Sequence, residues 1–145
     1  MKAYILMLIV PSLFVSFSLH AQQAEKTLVK AFNLKGSQTV FLDVDAEVEV
    51  KEWGQEQMRV IMTVALENGS EIMLKSLVKV GRYNLDSSEE EAQFKVFAPG
   101  LERQVKLRSG KELLEKIHFE VYAPSNVLVK SRNQETVAEK TVPSF

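Results

Sequence analysis

A chain of 145 residues with 46% hydrophobic side chains holds one ordinary domain with a core of its own, which excludes a disordered protein. The formal charge of −1 gives no attraction for nucleic acid or for an anionic membrane surface. With no cysteine, the chain has no disulfide framework, thiolate nucleophile, zinc–thiolate site or iron–sulfur cluster.

The N-terminus reads as a secretory signal. Met1 and Lys2 supply a positive start, residues 3–19 form a charge-free apolar run, and Leu19-His20-Ala21 precedes Gln22-Gln23, which sets cleavage after Ala21. The competing reading is a retained membrane anchor. Pro11, Ser12, Ser16 and Ser18 interrupt the run, however, whereas a spanning helix takes about 20 mostly apolar residues. No cysteine follows to make a lipoprotein. The expected organisation is a signal peptide over 1–21, one mainly β domain over 22–131 and a polar tail over 132–145. The mature chain is then exported, periplasmic or extracellular, has no stable membrane span and keeps His118 as its single histidine.

Residues 22–37 are a lead-in, with Leu28, Val29, Phe32 and Leu34 marking a first edge strand. Residues 39–66 read as a β-meander. Successive strand side chains point to opposite sides, so Val40, Leu42, Val44, Ala46, Val48 and Val50 share a face, while Asp43, Asp45, Glu47, Glu49 and Lys51 share the other. Trp53 falls on the polar parity, where a strand end or a bulge is expected, and Gly54–Gln57 turns the chain. Val60, Met62, Val64 and Leu66 continue the apolar face. Asn68-Gly69 is a turn signal, after which Ser70 caps a short helix over 71–77; direct continuation as a strand is the alternative. Strands are expected over 78–85, 94–98, 101–107, 117–122 and 127–130, with an acidic loop over 86–91. The pattern predicts a mainly β fold: an antiparallel β-sandwich or a short β-solenoid-like meander with at most one short helix.

The alternating valines leading into Glu52-Trp53-Gly54, the following strand and short helix, and Ala123-Pro124-Ser125-Asn126-Val127 together resemble the adhesin-like bacterial envelope proteins of the DUF4097, or auto-transporter-adhesin head, group. The His-Ala-Gln-Gln end of the leader is similar to that of exported Bacteroidetes-type proteins. The resemblance covers residues 38–130 and implies an N-terminal part of an envelope protein, upstream of valine-rich solenoid rungs. It brings no catalytic residues.

Asp43, Asp45, Glu47 and Glu49 form the most suggestive set, since paired carboxylates serve calcium binding and glycoside hydrolysis. A water-facing strand surface explains the same residues, and the glycine-punctuated oxygen ligands of a calcium loop are missing. His118, outward beside Glu120, has no second histidine or positioned nucleophile in sequence. No phosphate loop, dinucleotide fingerprint, zincin helix or nucleophile elbow occurs. No catalytic residue, cofactor or metal is therefore expected. The favoured reading is a non-catalytic envelope module that binds an unknown protein or glycan, with Trp53 and the four carboxylates as the candidate interaction surface. A periplasmic carrier of a small apolar ligand is the alternative, and a carboxylate hydrolase the third.

Overall fold

The computed structural model describes residues 23–133; the segment read as a signal and tail residues 134–145 lie outside them. In chain order the elements are β1 (Ala24–Phe32), β2 (Thr39–Asp43), β3 (Glu47–Trp53), β4 (Met58–Leu66), α1 (Glu71–Lys79), β5 (Asp86–Glu90), β6 (Gln93–Phe97), the 3₁₀ turn η1 (Pro99–Glu102), β7 (Glu115–Pro124) and β8 (Leu128–Ser131). The strands form two four-stranded sheets, ordered β1-β4-β7-β3 and β5-β6-β2-β8. The mainly β fold with a short helix agrees with the sequence pattern.

Alternation makes the core. Met58, Val60, Met62 and Val64 on β4 and Phe119 and Val121 on β7 face Val40 and Leu42 on β2 and Phe94 and Val96 on β6, all 3% exposed or less. Phe32 of the first sheet meets Phe94 of the second edge-on, with ring centroids 6.0 Å apart.

The sheets are mixed, not antiparallel: β2 runs parallel to both β6 and β8, and β3 runs parallel to β7. A parallel pair needs a long return path, usually a crossover helix. Here the opposite sheet supplies it, because the chain leaves β2 for β3 and β4, returns for β5 and β6, leaves again for β7 and comes back as β8.

Nor is 39–66 a meander. Val44, Asp45 and Ala46 carry the chain from one sheet to the other, and β7 lies between β3 and β4. Both strands flanking this crossing face one core, so the apolar parity runs through it unbroken. The continuous pattern therefore looks like a single sheet. Val50, expected to be buried, is 38% exposed because β3 is an edge strand.

The helix forms as its cap directs. Ser70 Oγ accepts from the Met73 amide at 3.1 Å, and α1 runs two residues past the expected end. Asn68 links this turn to the loop before β7: its amide donates to Glu112 O at 2.8 Å, and its Oδ1 accepts from the Leu114 amide at 2.7 Å. Residues 78–85 and 101–107, expected as strands, are instead the end of α1 with its turn, and the end of η1 with the loop that follows it.

The expected acidic loop is β5, joined to β6 by a two-residue turn. Glu91 and Ala92 hold positive φ angles of 47° and 65°. Such a turn favours Asn-Gly, and an L side chain costs about 1–2 kcal/mol per residue in this region. Replacing both, as Glu91→Asn with Ala92→Gly, is expected to raise the unfolding free energy by about 1 kcal/mol, read from the urea midpoint.

Candidate functional site

The outer face of the first sheet brings together side chains that are far apart in sequence. Pairing of β4, β7 and β3 sets Arg59, Tyr122 and Lys51 in one row, Ile61, Glu120 and Glu49 in the next, and Thr63, His118 and Glu47 in a third. Trp53 lies opposite Pro124 at the end of β3 with its register intact, so the strand ends there without a bulge. Its indole N–H donates to Gln57 O at 2.8 Å, which ties it to the turn before β4.

Around Trp53 the rings and cations stack. The Trp53 and Tyr122 centroids are 5.6 Å apart with the rings tilted at 45°. The Arg59 guanidinium lies 4.8 Å from the Trp53 ring centre, and Lys51 Nζ lies 5.7 Å from that of Tyr122. Lys51 also reaches Glu120 at 3.3 Å and Glu49 at 3.7 Å. The Tyr122 hydroxyl and the Lys51 ammonium hold the Glu120 carboxyl below its usual range, and Glu120 in turn raises Tyr122 and Lys51. His118 stands between Glu47 and Glu49, 3.7 Å and 3.9 Å from their oxygens. The result is a half-exposed aromatic and cationic patch bordered by carboxylates.

The acidic stripe expected from parity is divided. Glu47 and Glu49 lie on this face, Asp45 is exposed in the crossing between the sheets, and Asp43 lies on the outer side of the second sheet. The physical reason is the crossing itself: one parity becomes two opposite outer surfaces. Asp43 is held by Arg132, whose Nη2 and Nε lie 2.6 Å and 2.9 Å from Oδ1, and by Lys95 at 3.4 Å. Burial pushes the Asp43 carboxyl up, but these cations outweigh it and keep it below its usual range. Asn133 donates to Ala46 O at 3.0 Å. Arg132 and Asn133, read as the start of the tail, therefore bond back to the domain.

A cleft of about 610 Å³ opens at this end of the sandwich, lined by Asp43, Asp45, Leu101, Glu102, Glu115 and Arg132 among others. Behind it lies a network that sequence reasoning missed. Arg82, 9% exposed, donates Nε and Nη2 to the two oxygens of Glu115 at 2.8 Å and 2.6 Å, and Nη1 to Gly100 O and Arg103 O at 2.8 Å each. Tyr83 OH adds a bond to Glu115 at 2.6 Å. Burial pushes Glu115 up, yet the bonds from Arg82 and Tyr83 prevail and hold it below the carboxylate norm. Burial, followed by the bond to Glu115, raises Tyr83. Every guanidinium nitrogen has an acceptor, so this is a structural clamp joining the end of α1, η1 and β7. Nothing in the sequence signals it, because its partners are 33 residues apart.

Among the described residues no three His, Cys, Asp or Glu side chains are grouped to hold a metal ion, and no helix is long and apolar enough to cross a membrane.

No protein family and no curated protein matches the chain. A solved structure from Clostridium sporogenes ATCC 15579, named a "putative cell adhesion protein", is similar to 74% of this chain at 8% identity with a TM-score of 0.39. The chain spans 45% of that structure's length.

Proposed function

We propose that this is an exported, non-catalytic module of the bacterial envelope that binds a partner protein or a glycan through the outer face of its first sheet. One observation carries the reading: Trp53, Tyr122 and Arg59 are stacked on an outer surface and not in the core. Trp, Tyr and Arg are the side chains that dominate binding hot spots, and rigid rings give contact area at low entropic cost. The apolar leader supports export.

Catalysis has little support. A carboxylate hydrolase needs one acid with a raised pKa, and Asp43 and Glu115 at the cleft are both held down by cations. A carrier of an apolar ligand needs open space between the sheets, where Phe119, Leu42, Met58 and Met62 are fully buried.

The test is retention of the purified chain on intact bacterial envelopes and on arrayed envelope glycans. We expect saturable binding that falls at least about tenfold in Trp53→Ala/Tyr122→Ala and is unchanged in Asp86→Ala on the far sheet. Equal retention of all three proteins refutes this face as the binding surface.

A further inference from the structure

The sandwich has four strand edges among the described residues, and they are not alike. α1 contacts β1, whose Lys30 donates its ammonium to Leu85 O. β5 carries Asp86, Glu89 and Glu90 in a five-residue strand, and β8 has only four residues. In contrast, β3 has seven residues, contains no proline, pairs in unbroken register with β7, and leaves Val50 38% exposed.

We propose that a second copy of this chain pairs antiparallel with β3 across a two-fold axis through Val50, joining the two first sheets into one of eight strands. An axis normal to the sheet sets outward side chains against outward ones and inward against inward. With the axis at Val50, Glu49 faces the second copy's Lys51, Lys51 faces its Glu49, Glu47 faces Trp53, Val48 faces Glu52 and the two Val50 side chains meet.

Each neighbouring position of the axis is worse. At Glu49 two carboxylates oppose each other, at Lys51 two ammonium groups do, and at Val48 Glu47 meets Glu49. The Val50 register alone overlaps the whole strand with no like charges opposed. Opposite charges directly across an antiparallel pair are favourable and like charges unfavourable.

Charges on an edge strand ordinarily keep sheets apart. Here their signs change across Val50, so the strand is complementary to itself. Lys51 already contacts Glu49 and Glu120 on the outer face, which positions its ammonium beside the incoming carboxylate. This dimer is independent of the binding reading above, although it would present two Trp53–Tyr122 patches on one continuous surface.

Sedimentation equilibrium of the purified chain tests the proposal, with the thermal midpoint of every variant as a check on folding. The expected mass approaches twice that of the chain with rising concentration. Glu49→Lys alone and Lys51→Glu alone each place like charges at both symmetric pairs and should weaken the dimer about tenfold or more. Mixing the two single variants, or combining the substitutions in one chain, should restore it. The chain has no cysteine, so Val50→Cys should cross-link to itself on oxidation, since directly opposed residues lie within disulfide reach. Glu52→Cys, facing the second copy's Val48, should not. A folded chain that stays monomeric at hundreds of micromolar overturns the proposal. So does a dimer that is indifferent to the single charge changes or is not rescued by combining them.

Discussion

Glu115→Ala is expected to lower the unfolding free energy by about 3–5 kcal/mol, the cost of leaving a buried charge without its partner. Arg82 would keep the carbonyls of Gly100 and Arg103, but its charge would be uncompensated and the Tyr83 hydroxyl would lose its acceptor. A domain of this size has about 5–15 kcal/mol in all, so the loss should be plain in urea unfolding. Replacing both partners, as Arg82→Leu/Glu115→Leu, should cost less than Glu115→Ala alone, because no orphan charge remains. If the double replacement costs the sum of the two singles, the clamp is not an interacting unit.

The same carboxyl gives the fold an acid limit. Glu115 and Asp43 have folded pKa values below their ordinary ones, so the stability they contribute is present above the ordinary carboxylate range of about 4. It is lost as pH falls through the lowered folded values. Stability should therefore decline with acidification below about pH 5, and more gently in Glu115→Ala than in the parent.

Gly100→Ala is the second large effect. A Cβ at this position would lie 2.2 Å from the Arg82 carbonyl oxygen and within 3 Å of its carbonyl carbon and Cα. These are backbone atoms and cannot swing aside. Any shift of η1 that relieves the contact also moves Gly100 O away from Arg82 Nη1, so we expect a loss of about 1–3 kcal/mol or more. Gly54→Ala is the control. Its Cβ would meet nothing within 4 Å, and its effect should stay within about 0.5 kcal/mol.

What the sequence made legible was local. Ser70 as a helix cap, the buried parity of Val40 and Leu42, and the place of Trp53 on the polar parity all follow from side chains within a few positions of one another. What it hid was long-range or lacked its usual marker. The crossing at Val44–Ala46 keeps apolar residues inward on both sides, so period-two counting cannot separate a continued sheet from a change of sheet. The β5–β6 turn uses Glu91 and Ala92, which carry no turn signal, and its acidic strand reads as a loop. Trp53 meets Tyr122 only because β3 and β7, far apart in the chain, pair in parallel. Arg82 and Glu115 meet across 33 residues, each looking like an ordinary surface charge.

The chain holds a single tryptophan, so its fluorescence reports one place on the molecule. Titrating the purified chain with the solubilised envelope fraction that retains it tests most directly whether the Trp53 face is the working surface. Binding through this face should give a saturable change in Trp53 emission at the concentrations that give retention, lost in Tyr122→Ala/Arg59→Ala. An emission that stays constant while the chain is retained would place the partner elsewhere and contradict it.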